Sequence, residues 1–314
     1  MTKNNEQCIN SVFETEWWLN AVAENSWEYI EVIKKNGDIS ARFPIYKSKY
    51  LGKKTLGVPA LTQTLGIYLE ETGAKLSKKL EKSKKLINEI IQQLPSQYSC
   101  NFYLDINNDY VLPFIWAGFK VEAMFSYRLE DLNDLDLVWK GFKENIRTDI
   151  RKAEKSVFVK EEDDIEVLID MQKKTFLRQG RSFPLDENII RRIDSAAKER
   201  HSKLLLCARD SEQRVHAAAY YIFDDNRCYY LMSGGDPLYR NSGATSLLLW
   251  EGIKKASERV DIFDFEGSMI EDIERFVRGF GAIPRNYYRV KKLNCIQSIA
   301  EYFKPRIKKI LHYK

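Results

Sequence analysis

At 314 residues, with 44% hydrophobic and 30% charged side chains, the chain suits one large or two ordinary domains of the soluble globular class. Five scattered cysteines, an odd total with no C-x-x-C pair, exclude a disulfide framework and a zinc site, and three histidines argue against a histidine-built triad, so no metal is expected. The formal net charge of +5 is concentrated in the last residues, Lys304 to Lys314, which hold five basic side chains and no acid.

The opening MTKNNEQCINS is polar and lacks the apolar core of a signal peptide. No apolar run approaches the roughly 18 to 20 residues of a membrane span, so a cytoplasmic protein is expected. Thr15 to Glu24 has helical spacing. Tyr29–Ile33 and Ser40–Tyr46 flank Asn36-Gly37, which signals a hairpin with a two-residue turn, and Pro44 marks an edge or irregularity. A loop leads into a strand at Leu65–Leu69, and a helix follows, with Leu76, Leu80, Ile87, Ile90 and Leu94 in register and Pro95 to stop it. Asn101–Ile106 reads as a strand, Tyr110–Ala117 as a short helix and Val121–Leu129 as a strand.

The pattern then restarts. Trp139–Ser156, Ile165–Arg178 and Asp186–Arg200 read as helices, and Lys203–Arg209 with Val215–Phe223 as a second hairpin. Gly118-Phe119 and Gly279-Phe280 lie 161 positions apart, and the same offset sets Tyr127-Arg128-Leu129 on Tyr288-Arg289-Val290. It also sets Asp105 on Glu266. A shared period with a shared element order predicts two copies of one α/β (mixed α+β) unit. The expected divisions are 1–138, 139–292 and a basic helical tail, 293–314.

The second copy is organised around Tyr229 to Lys292. There a strand (Tyr229–Met232) enters a glycine-bearing, arginine-bearing loop before a helix (Ala244 to about Glu258), then a strand (Asp261–Glu266), a short helix (Ile270–Phe280) and a strand (Asn286–Val290). Open backbone N–H groups and the positive end of a helix dipole make such a turn an anion site, and Arg240 adds charge. The alternative is a plain N-capped helix. The first copy has Leu69-Glu70-Glu71-Thr72-Gly73 there, and two acids would repel a phosphate.

These residues resemble a known family. The element order of each half resembles the GNAT N-acetyltransferase fold, and the tandem arrangement resembles the FemA/FemB/FemX-like acyltransferases. Arg240-Asn241-Ser242-Gly243-Ala244-Thr245 is similar to the GNAT pyrophosphate loop, Q/R-x-x-G-x-G/A, with Thr245 departing at the last position. Phe263-Asp264-Phe265-Glu266-Gly267, Phe276 and Phe280-Gly281 resemble the Fem pattern D-F-x-G…F-x-x-x-F-G, and Ile146 to Ala153 resembles the charged helix opening the second Fem half. The resemblance implies two tandem GNAT-like domains, each a mixed sheet flanked by helices. It also implies acyl-CoA (acetyl-CoA) as co-substrate. Fem enzymes that use aminoacyl-tRNA carry a Phe-Lys pair in the short helix, whose lysine is implicated in stabilising the oxyanion. Here the pair is Phe276-Val277, with Arg278 about 100° round the helix, which favours acyl-CoA.

Acyl transfer to an amine needs a base, an oxyanion stabiliser and a proton donor for the thiolate. Asp264 and Glu266 share one strand face and Phe263 and Phe265 the other. Glu266, at the strand's C-terminal end, is the candidate base; bracing the following turn is the alternative. Tyr288 is the candidate proton donor, or a core tyrosine with its hydroxyl satisfied. Arg178 and Arg181 flank Gly180 between two helices and suit an acceptor carboxylate or phosphate, or are solvated surface residues. Arg147 and Arg151 share a helix face and are expected to pair with acids across the domain interface. Cys228, in a strand far from any histidine, reads as a buried structural thiol.

The expected function is N-acyl transfer by a monomer to an amino group, of a lipid-linked, nucleotide-linked or small-molecule amino sugar or another cell-envelope precursor. Aminoacyl transfer from tRNA and a non-catalytic binding module are the rivals. The basic tail reads as a packed amphipathic helix, or as a contact for anionic lipid, tRNA or a polyanionic substrate.

Overall fold

A computed structural model describes residues 8–50, 52–267 and 269–292, so the tail and Ser268 lie outside the described residues. The chain divides into two compact units. Unit 1 takes in the described parts of 1–19, 23–123 and 287–314; unit 2 is 20–22 and 124–286.

Unit 1 begins with α1 (Glu16–Ala23), then β1 (Trp27–Ile33), β2 (Ile39–Tyr50), β3 (Lys53–Gly57) and β4 (Tyr68–Leu69). It continues with α2 (Leu76–Gln93), β5 (Ser99–Leu104), α3 (Leu112–Trp116) and the start of β6 (Lys120–Leu129). The expected hairpin forms, but its loop runs from Lys34 to Asp38, wider than a two-residue turn, because Lys34 N–H bonds Asp38 C=O and Gly37 adopts φ +89°. Pro44 pairs with Tyr29 and sits where β2 changes its other neighbour, from β4 at Ala41–Arg42 to β3 at Tyr46–Tyr50, so its missing N–H falls in a gap of that edge. The apolar face of α2 (Leu86, Ile87, Ile90) packs with Phe43, Phe102 and Phe114 in the core. Glu14 is buried here, accepting from Asn10 N–H (2.7 Å) and Gly66 N–H (2.8 Å), and burial, aided by the charge of Asp105, pushes its carboxyl up to about 8.

Unit 2 continues with α4 (Leu135–Gly141), α5 (Glu144–Ala153), β7 (Phe158–Glu161), α6 (Ile165–Arg178) and α7 (Glu187–Glu199). Then come β8 (Lys203–Arg209), β9 (Val215–Phe223), β10 (Arg227–Gly235), α8 (Ala244–Ser257), β11 (Ile262–Asp264), α9 (Glu271–Arg278) and the start of β12 (Ile283–Lys292). The strand order is β6-β11-β10-β9-β8-β7, and β10–β11 is its one parallel pair among the described residues. The core gathers Tyr221, Leu248, Phe263, Phe265 and Phe280. α8 lies so close to the sheet that a Cβ on Gly252 would be 2.4 Å from the Tyr221 ring.

The single helix expected over Trp139–Ser156 is two. Phe142, only 2% exposed, turns into the core against Phe280, and α5 restarts at Glu144. The two last strands are also exchanged. Residues Arg128 and Leu129 of β6 pair with β11 in unit 2, whereas Tyr288–Lys292 of β12 pair with β5 in unit 1. The compact units therefore do not follow the expected division at 138/139. Among the described residues no helix is long and apolar enough to cross a membrane, and none of them cluster as metal ligands.

Candidate active site

β10 runs beside β11 only over Arg227–Tyr229, then continues against β9, with a register shift between Tyr230 and Met232. Its far end is held by α6. Gly234 approaches so closely that a Cβ there would lie 2.4 Å from the Met171–Gln172 peptide. Gln172 Nε2 donates to Ser233 C=O (2.7 Å), and Gly235 N–H donates to Thr175 Oγ1 (2.9 Å).

Past Gly235 the chain makes a tight turn, Pro237–Ser242, whose first N–H groups are capped by Asp236. Gly243 then takes φ +79° and starts α8. A Cβ at this position would be 2.3 Å from the carbonyl oxygen of Asp149, so α5 presses directly on the loop. Lys152 of α5 also reaches it, donating to Asn241 C=O at 2.5 Å. The first bond of α8 runs from Leu247 N–H to Gly243 C=O, which leaves the N–H groups of Thr245 and Ser246 open at the positive helix end.

A cleft of about 220 Å³ opens in front of that helix end. Arg240, Ser242, Ala244 and Thr245 line one side, Thr175 and Arg178 of α6 another, and His216 and Ser233–Gly235 the floor. Arg178 and Arg240 are exposed and make no hydrogen bond or ion pair among the described residues. Two unpaired guanidinium groups and an open helix N-terminus around one cleft form a cationic pocket.

Residues 140–271 match the family described as "Acetyltransferase (GNAT) domain". The crystal structure of FemX superposes with a TM-score of 0.71 over 96% of this chain and 98% of its own, at 14% identity. A GNAT acetyltransferase model thus matches the segment 140–271, and the chain has a Fem-like fold. L-PGS from Bacillus licheniformis has a TM-score of 0.51 at 10% identity, covering 90% of this chain and 89% of its own. The C-terminal domain of an Agrobacterium fabrum protein assigned as a lysylphosphatidylglycerol synthetase has 0.53 at 12% identity, covering 87% of each chain. No curated protein matches the sequence.

Within the GNAT domain the predicted residues divide. Arg178, Arg240, Ser242, Ala244 and Thr245 meet at the cleft. Gly243 and Asn241 shape the loop without lining it, through the close approach to Asp149 and the carbonyl that Lys152 holds. Arg181 is exposed and does not line the cleft. Arg147 and Arg151 both pair with Glu144 of their own helix (2.7 and 3.3 Å), not with acids of another domain, because three and seven residues place them on that face. Cys228 is fully buried, and burial pushes its thiol well up. Val277 is 2% exposed in the core, while Arg278 is bound to Glu274.

The carboxylates separate as well. Phe263 and Phe265 enter the core as expected, but Asp264 on the opposite side is also fully buried. It accepts from Arg128 Nε and Ser126 Oγ, each at 2.6 Å, and from Glu266 N–H at 2.8 Å. Bracing the turn therefore falls to Asp264. Glu266 is half-buried in the left-handed region (φ +57°), and Gly267 follows at φ +58°, where a Cβ would be 2.5 Å from the Phe125 carbonyl oxygen. Burial, then the charge of Asp264, raises the Glu266 carboxyl well above the usual carboxylate range. Glu266 does not line the cleft; it lies two residues past β11, which runs parallel to the start of β10 and ends at Asp264 rather than at Glu266. Tyr288 is half-buried on β12 opposite Leu104, in unit 1.

Sequence reasoning missed His216. Its Nε2 lies 3.3 Å from Asp210 Oδ2, and its ring stacks on Tyr239 at 4.1 Å and 4°. Burial raises the Asp210 carboxyl, but bonds from Arg214 and His216 outweigh it and bring the group down to about 2. His216 stands in an apolar strand run, Val215–Phe223, and the acid in the preceding turn was its only local signal.

Proposed function

We propose that the protein transfers an acyl group from acyl-CoA to an amino group, on an amino sugar or another cell-envelope precursor. The observation that carries the donor assignment is the cleft itself. The open end of α8, with Arg178 and Arg240 unpaired at its rim, suits the pyrophosphate of a CoA thioester. The acceptor class comes from the likeness to Fem-type proteins and from no contact in the cleft.

In this reading the acceptor amine attacks the thioester carbonyl, a C–N bond forms, and the C–S bond breaks to release the thiolate. The amine's proton goes to Glu266, directly or through a water. A carboxyl raised by burial is a stronger base, once ionised, than an ordinary one. Rate should therefore rise with pH through a range above that of an ordinary carboxylate. Mass-spectrometric assay of acetyl transfer from acetyl-CoA to a panel of amino sugars tests this. Glu266→Gln is expected to lower kcat by about 10²- to 10⁴-fold and to abolish the rising limb, with donor affinity retained. Wild-type turnover in that variant would remove Glu266 from the chemistry. Retention of charged tRNA with no transfer from any acyl-CoA would move the donor to aminoacyl-tRNA.

A further inference from the structure

His216 is only 8% exposed, lines the cleft, and its Nδ1 makes no hydrogen bond. A buried polar atom without a partner costs stability unless a ligand supplies one. The ring is nevertheless held in place. Asp210 engages Nε2, Tyr239 stacks on the face, and Asp210 is itself fixed by Arg214 Nε at 2.7 Å and by the N–H groups of Glu212 and Arg214 at 3.0 Å. A buried side chain oriented through one nitrogen and without a partner at the other, on the lining of a cleft, is a candidate ligand-binding group.

The charges around it indicate the ligand's chemistry. The carboxylate of Asp210 faces Nε2, and Arg214 lies beyond it, bound to the same carboxylate and 5.6 Å from the centre of the Tyr239 ring. Asp236, next to the cleft floor, is neutralised by Lys174 at 3.0 Å, so the unpaired charges at the cleft are Arg178 and Arg240. The acids near His216 are thus paired, and an incoming anion meets two free cations and the end of α8. An imidazole whose Nε2 faces a carboxylate has Nδ1 left for a ligand, and an imidazole N–H is a donor that suits phosphate chemistry.

We infer that His216, oriented by Asp210, is a phosphate-binding residue of the donor cleft, with Nδ1–H donated to a phosphate oxygen of the donor. This rests on the donor reading of the cleft and adds a third side-chain donor to it. A histidine carries its second proton at acid pH and loses it towards pH 8, whereas the two arginines stay charged throughout.

Calorimetric titration of the full chain with dephospho-CoA and with inorganic pyrophosphate, at pH 5.5 and 8, tests the inference. Dephospho-CoA has no phosphate monoester to titrate in this range, so its pH dependence reports the protein. Wild type is expected to bind it about tenfold or more tightly at pH 5.5, and His216→Gln to bind equally at both. Asp210→Asn should keep part of the affinity but flatten the dependence, an effect that loss of packing alone would not produce. Wild-type binding that is independent of pH, or a His216→Gln variant that keeps the dependence, would overturn the role of His216 and leave the donor site standing. Failure of wild type to bind either ligand at either pH would overturn both.

Discussion

Replacing Asp264 with alanine is expected to destabilise unit 2 by about 3–5 kcal/mol, because it leaves a buried arginine without its counter-charge. Arg128 is 7% exposed and Asp264 fully buried, and the carboxylate also receives Ser126 Oγ and Glu266 N–H. At roughly 2–4 °C per kcal/mol for a domain of this size, melting should fall by about 6–20 °C. Replacing both partners, Arg128→Met with Asp264→Leu, should recover part of the loss, since the single change strands a charge and the double change does not. A single variant within about 1 kcal/mol of wild type would show that Arg128 finds another partner. The same carboxylate sets the Glu266 turn, so Asp264→Asn should lower turnover even where the chain remains folded.

The second large effect is at Gly243. Alanine there meets two obstacles, a positive φ of 79° and a Cβ placed 2.3 Å from a backbone oxygen of α5. The conformational term is of order 1 kcal/mol or more, and backbone overlap adds about 1–3. Chemical denaturation should therefore show a loss of about 2–5 kcal/mol, with CoA affinity reduced about tenfold or more as the loop shifts. Gly180 supplies the control. It has φ +67° with nothing within 4 Å of a Cβ, so Gly180→Ala carries only the conformational part. Equal losses in the two variants would mean that α5 gives way and that the close packing on the donor loop is unimportant.

The repeat was legible because turn residues and paired aromatics recur 161 positions apart, and β5, α3 and β6 do correspond to β11, α9 and β12 in order. The exchange of last strands was not. Tyr127-Arg128-Leu129 and Tyr288-Arg289-Val290 are so alike that no local pattern tells which inner strand each joins. Sequence spacing ran through Gly141-Phe142 as helix, since Trp139, Phe142, Ile146 and Ile150 keep helical spacing; the break comes from Phe142 packing on residues over 100 positions away. Four residues of β7 are too few to show an alternation. At the site, Gly243 and Arg240 were readable from chain-local chemistry: a left-handed turn, a helix start and a cation. His216 acquires its meaning only from a turn six residues earlier and a ring on another segment, a combination that no spacing rule encodes. Asp264 and Glu266 were found together but could not be told apart, because alternation puts both on one face and only burial assigns the brace to Asp264.

The donor assignment is tested most directly by titrating acetyl-CoA into wild type and into Arg178→Ala and Arg240→Ala by calorimetry at moderate salt. Both side chains stand at the cleft rim with no other partner among the described residues, so neither change should alter melting by more than about 0.5 kcal/mol in stability. Binding by wild type, weakened about tenfold by each substitution as a charge-assisted phosphate contact is lost, is the predicted result. Absence of binding by folded wild type, or undiminished affinity in both variants, would contradict a phosphate-bearing CoA donor at the end of α8.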